Sequence, residues 1–232
     1  MNSHLKEQRM ALINFITSNN NIKKFKYYDI FFKKYKKLLT QYSTKNIHYI
    51  VNNLTDFDQC FHYDYRLFNT NLEFNFYIPY IRRIYNLDKK YFAPVKIINE
   101  KGELKIQNYN CYYTHYEIEE CDNNYPDIEE IFVIMFPNIE PYFIVVDGNH
   151  RVSLQINEET INAIICPHFM IEHTLSSAFE VILYSCVFDC SFILYNQGRI
   201  PDLEIKKRMK IFNSKELVNN LDNRGTLQVN PV

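Results

Sequence analysis

Two apolar stripes at helical spacing open the chain. Leu5, Met10, Leu12, Ile13 and Ile16 make the first, and Phe25, Tyr28, Phe32, Tyr35 and Leu39 make the second. Asn19-Asn20-Asn21 separates them, so the pattern predicts successive helices from His4 to about Tyr42. Between Phe74 and Tyr116 the pattern turns strand-like. Residues 95–98 and 104–106 flank Glu100-Lys101-Gly102, a hairpin signal in which glycine supplies the positive φ, and residues 111–116 suit a third strand. A β-branched and aromatic run, Phe143-Ile144-Val145-Val146, then stops at Asp147-Gly148, and the following residues suit a helix start. Residues 161–165 form another apolar strand, and from Glu172 onward the pattern is helical again. Ser177 and Glu180 have capping-box spacing, and Gly198 suits the position just past a helix end. Shorter helices are expected at residues 201–212 and 214–221, and a loose tail at 222–232.

These elements predict a mixed α+β fold, a small sheet-and-helix core flanked by N- and C-terminal helices. The division expected is a helical lobe over residues 1–72 and a core with the C-terminal helices over 73–232, or one composite domain. With 47% of its 232 residues apolar, the chain can bury a core of useful size. Tyr and Phe are abundant, at 19 and 18, whereas Trp is absent and Gly occurs four times. The wealth of Lys, Asn and Ile matches an adenine- and thymine-rich coding sequence, which weakens arguments from Lys or Asn counts.

Net charge is −1, so the whole chain lacks the electrostatic footprint of a dedicated nucleic-acid binder, and such binding would have to be local. The first nine residues are polar and lack the apolar stretch of a secretory signal, which leads to a cytoplasmic expectation. The longest apolar segment, residues 175–195, contains Glu180 and Asp189. Each acid near a bilayer centre would cost about 2.5 to 3.5 kcal/mol, so this segment reads as a buried helix with no membrane partner. Cys60, Cys111, Cys121, Cys166, Cys186 and Cys190 form no Cys-x-x-Cys pair and no metal-ligand spacing with histidine, so they read as core thiols and no metal site is expected. Cys186 and Cys190, four apart, would share a helix face.

Two charged stretches have a plain reading and a sharper one. Lys23, Lys24, Lys26, Lys33, Lys34, Lys36 and Lys37 back the second apolar stripe. They suggest either phosphate contact or, as favoured here, a solvated helix face whose aromatics are buried. The acidic tract Glu117, Glu119, Glu120, Asp122, Asp127, Glu129 and Glu130 reads as an exposed loop and helix start with Pro126 at its first turn. Alternatively it supplies a carboxylate as general base or metal–phosphate ligand, or pairs with the basic helix.

The chemistry concentrates at residues 143–151, Phe-Ile-Val-Val-Asp-Gly-Asn-His-Arg. A strand, a tight turn and a helix start leave backbone N–H groups exposed at the positive end of a dipole, beside Asn149, His150 and Arg151. Arginine grips phosphate through its fork, and histidine titrates near neutrality and can donate or move a proton. Asp147 either faces a ligand, holding Mg²⁺ or accepting a proton, or simply caps the helix.

This box, with the second strand at 161–165, resembles the signature of the ParB/sulfiredoxin-like superfamily over about thirty residues, 141–168. The resemblance implies that Gly148, Asn149, His150 and Arg151 bind the phosphates of a nucleotide (ATP, ADP or CTP), that Asp147 and His150 are catalytic, and that the following strand lies alongside the first. Asn149 stands where sulfiredoxins carry their catalytic cysteine, which disfavours sulfinic-acid repair. Gly148-Asn149-His150-Arg151 also differs from the Gly-Glu-Arg-Arg type box of chromosome-partition proteins, and no helix-turn-helix follows it. The Asp-Gly-x-His-Arg form is closer to that of the free-serine kinases and small ParB-like domains. Pro94-Val95-Lys96-Ile97 would match the family's strand ahead of the box, in which case either residues 102–141 are an insertion or this pairing is wrong. The expected activity is a small-molecule phosphotransferase or nucleotide hydrolase. The alternative is a non-enzymatic, DNA-associated or nucleotide-sensing regulator of plasmid or phage type.

Overall fold

The computed structural model describes residues 3–42, 60–67, 69–117, 130–138, 140–175 and 177–213. The expected helix at 214–221, the tail, Cys121 and the tract residues Glu119, Glu120, Asp122, Asp127 and Glu129 lie outside the described residues. In chain order the elements are α1 (Ser3–Ser18), α2 (Asn20–Lys23), α3 (Tyr28–Tyr42), β1 (Cys60–Leu67), β2 (Thr70–Tyr77), α4 (Ile78–Leu87) and β3 (Ala93–Glu100). There follow β4 (Glu103–Ile106), β5 (Tyr109–Tyr112), β6 (Phe132–Phe136), β7 (Tyr142–Asp147), α5 (Asn149–Leu154), β8 (Thr160–Ile165), α6 (His168–Thr174), α7 (Ala178–Asn196) and α8 (Asp202–Arg208). The class is mixed α+β.

The chain forms two compact units. One gathers residues 1–57, 62–75 and 175–232, and the other takes 58–61 and 76–174. The C-terminal helices therefore fold with the N-terminal helices, a grouping different from the 1–72 and 73–232 division. The reason lies in α7, which buries nearly all of its residues and gives α1, α2 and α3 a surface to pack on.

In the helical unit the asparagine break between the first two stripes is a cap. Asn19 accepts hydrogen bonds from the N–H groups of Asn21 (3.0 Å) and Ile22 (3.1 Å). Helix α7 is long and apolar enough to cross a membrane, yet 78% of its apolar window is buried inside the protein, as in a core helix. Its two acids are satisfied within the unit. Glu180 accepts from the N–H (3.0 Å) and the side-chain amide (2.9 Å) of Asn75, and Ser177 caps the helix by accepting from the Glu180 N–H at 3.2 Å. Gly198 follows the helix end with φ of 77°, as its position suggested.

The second unit is a closed six-stranded barrel in the order β3-β4-β5-β7-β6-β8. Neighbours are antiparallel except β5 with β7 and β6 with β8, which are parallel. The hairpin at 100–103 forms as read, with Lys101 at φ 56° and Gly102 at φ 93°. Inward residues Ile97, Ile106, Val133, Val145 and Ile161 fill the interior. Strand β7 is apolar at every central position because its other side is covered too. On the outside of β6, Phe132 packs edge-on against Tyr85 of α4 (5.2 Å) and Phe92 (6.3 Å).

Residues 102–141 supply β4, β5 and β6, half the barrel. Two expectations change. Strand β8 does not lie beside β7, because β6 pairs with both. The strand-like reading of 74–116 missed α4, which has Pro79 in its first turn and carries Ile81 and Tyr85 inward.

Candidate functional site

The site is built where β7 ends. Asp147 is the last strand residue, and Gly148 turns the chain at φ +89° into α5. A Cβ at Gly148 would sit 2.8 Å from Ile131 Cγ1 and 2.9 Å from Arg151 Nη2, so only glycine admits this close approach. Gly148 itself occupies the N-cap position with no side-chain cap, and Val152 N–H donates to its carbonyl at 3.0 Å. Asp147 therefore does not cap the helix.

Its carboxylate is instead gripped by Arg82 of α4, a residue the sequence reading did not single out. Arg82 Nε donates to Oδ2 at 2.8 Å and Nη2 to Oδ1 at 3.1 Å, a two-pronged pair. Arg151 Nη2 lies 3.9 Å from the same Oδ1 and donates to the Glu130 carbonyl at 3.1 Å. One turn along α4 from Arg82, Tyr85 donates its hydroxyl hydrogen to Glu130 Oε1 at 3.0 Å. Burial, then that hydrogen bond, pushes the Tyr85 phenol up. Two guanidinium groups from separate helices thus converge on one carboxylate, and Glu130, one of the tract acids, stands beside them.

The remaining box residues face the other way. Asn149 is buried and accepts from Thr114 N–H at 2.8 Å while donating to the Val145 carbonyl at 3.2 Å. Ser153, one turn later, accepts from Tyr116 N–H at 3.0 Å. Together they hold the extended stretch after β5 along α5, and that stretch places the Tyr116 ring edge-on to His150, with centroids 3.8 Å apart. Of the residues expected to bind phosphate, Asn149 is thus occupied with the barrel, Gly148 shapes the turn, His150 is half-buried against Tyr116, and Arg151, its side chain 15% exposed, stands at Asp147. Nothing local in the sequence pointed to Arg82, Tyr85 or Tyr116, because their partners lie tens of residues away.

Cys166 follows β8, with its N–H donating to the Val133 carbonyl at 2.8 Å. Burial and the nearby Asp147 charge push its thiol far up, so it is inert. Cys111, Cys186 and Cys190 are buried as well. Among the described residues no group of three His, Cys, Asp or Glu side chains is placed to hold a metal ion.

Fold and site define a mixed α+β protein with a closed six-stranded barrel, whose strand–glycine–helix turn brings two arginines to one carboxylate. Comparisons of the chain with family models, with curated proteins and with solved structures gave no match.

Proposed function

We propose that this is a cytoplasmic nucleotide-phosphate-binding protein of the ParB/sulfiredoxin-like kind, acting as a small-molecule phosphotransferase or nucleotide hydrolase on ATP, ADP or CTP with Mg²⁺. The observation that carries the reading is the convergence of Arg82 and Arg151 on Asp147, within the Asp-Gly-Asn-His-Arg box. Two guanidinium groups stand here beside the carboxylates of Asp147 and Glu130, and guanidinium forks suit phosphate oxygens. Gly148 lets the backbone come close, and His150 is the group able to move a proton. Asp147 serves as the positioning residue for both arginines.

That engagement of Asp147 also favours a second reading, a nucleotide sensor with no chemical step, because both its oxygens already accept hydrogen bonds from Arg82. A thermal-shift series with ATP, ADP, CTP and GTP, each with and without Mg²⁺, tests the binding. A nucleotide at a hundredfold excess over its dissociation constant adds about 2.7 kcal/mol, which raises the melting midpoint by roughly 5 to 10 °C. Arg151→Ala is expected to abolish the shift, and no shift with any nucleotide at millimolar concentration rejects the proposal. If nucleotide is turned over, His150→Ala should lower the rate about tenfold to ten-thousandfold at nearly unchanged affinity. Binding without turnover selects the sensor.

A further inference from the structure

A basic and aromatic surface lies on the helical unit, built from two segments far apart in sequence. Residues 20–42 and 201–213 together carry eleven lysines and arginines against three acids, although the whole chain has a net charge of −1. Their side chains meet around one pair of rings. Tyr27 and Phe212 stand edge to face with centroids 6.5 Å apart. Lys206 Nζ lies 4.4 Å from the first ring and 5.3 Å from the second, Lys26 Nζ 5.9 Å from the first, and Lys34 Nζ 5.3 Å from the second. On α3 Tyr28 and Phe32 stack nearly parallel, at 5.9 Å and 5°, with Lys36 Nζ 5.9 Å from the Phe32 ring. These four rings are half-exposed, which corrects the expectation of burial for Tyr28 and Phe32, whereas Phe25 and Tyr35 of the same stripe are buried as expected, together with Phe31.

Two of the three acids are engaged. Asp202 accepts the Lys26 N–H at 2.8 Å, and Glu204 accepts from Lys207 at 2.8 Å. The two segments are also fixed to each other from beneath. Lys34 Nζ donates to the Ile211 carbonyl at 3.2 Å, and buried Asp189 accepts from the Tyr35 hydroxyl and from the N–H groups of Lys210 and Ile211. The ring and lysine arrangement is therefore preorganised by the fold.

From this juxtaposition we infer that the surface formed by α2, α3 and α8 binds single-stranded nucleic acid. A base stacked on an aromatic side chain is held more strongly than a lysine resting on an exposed ring. A base therefore displaces the ammonium group from the ring, and the freed lysine stays within reach of the adjoining phosphate. Rings seated between lysine stems suit a strand that threads bases among them. A bilayer surface would favour apolar side chains projecting beyond the charges.

Fluorescence anisotropy with labelled oligo(dT) and oligo(U) of about sixteen nucleotides tests this on the full chain. Binding through about four phosphates should weaken roughly fiftyfold between about 50 and 200 mM salt. The Lys26→Gln/Lys206→Gln variant should lower the log–log slope by about 0.7 per lysine removed. Phe212→Ala should cost about tenfold at an unchanged slope, with its melting curve measured to establish that it folds. Lys96→Gln, on the barrel, and Arg151→Ala, in the box, should leave oligonucleotide binding intact, which separates this surface from the nucleotide site. The inference is overturned by no binding of either oligonucleotide at the lower salt. A slope unchanged in the double variant, or a duplex bound as well as single strands and indifferent to Phe212→Ala, overturns it equally. So does adsorption to anionic vesicles that neither oligonucleotide competes away.

Discussion

Gly148 shows how much one residue without a side chain can control. Its φ of +89° lies in the left-handed region, and the space beside its Cα is filled by Ile131 and the Arg151 guanidinium. An added methyl would meet both strain and overlap, since Ile131 Cα stands 3.2 Å away and belongs to the backbone. Gly148→Ala is expected to destabilise the barrel unit by about 1 to 3 kcal/mol, measured as a lowered denaturation midpoint at an unchanged slope. The same change pushes Arg151 off Asp147, so the nucleotide-induced melting shift should shrink even where the protein stays folded. Asp147 and Arg82 make the opposite point about side chains. Asp147 is positioned by β7, but its function as an anchor for two arginines exists only because α4 brings Arg82 across the fold.

At the scale of elements, α7 is the most heavily constrained. It is apolar on all sides, and its one deeply buried acid, Asp189, ties it to α3 and to the turn after α8. Burial pushes the Asp189 carboxyl up to about 7, against the pull of its three hydrogen-bond donors. An unfolded aspartate titrates near 3.9, so between about pH 4 and pH 7 the folded chain keeps a proton that the unfolded chain has released. The stabilisation from this group is full below that window and is lost as pH rises through it, by on the order of 1 kcal/mol per pH unit. Thermal melts of wild type and Asp189→Asn across pH 5 to 8 check this: the wild type should lose stability with rising pH relative to the variant. The short helix α5 uses the same device in milder form, with Asn149 and Ser153 accepting from alternate N–H groups of the stretch after β5.

Taken as a whole molecule, the chain interleaves its two units. The barrel and α4 to α6 come from one nearly continuous stretch, whereas the helical unit needs both ends of the sequence. A fragment of residues 76–174 contains all six barrel strands and the core that fills them, so it is expected to melt cooperatively by circular dichroism. A fragment of residues 1–75 lacks α7, the surface on which α1 and α3 pack, and should show no cooperative transition. A cooperative melt of the shorter N-terminal piece would contradict this dependence.

What the sequence determined by itself was local and periodic. Helical spacing marked α1 and α3, an unbroken apolar run marked α7, capping chemistry placed the start of α7 at Ser177, and Gly102 and Gly148 marked turns that require positive φ. The box was legible because strand, glycine and helix start lie within nine consecutive residues. Tertiary structure decided which residues meet. Strand β6 stands between β7 and β8 because closing the barrel gives it a parallel partner far along the chain, and pairing of that kind leaves no mark in a window of neighbouring residues. Arg82 reaches Asp147, and Lys206 reaches Tyr27, across separations that periodicity cannot span. Packing, which depends on every element at once, turned a cap candidate into an anchor and two separate lysine runs into one surface.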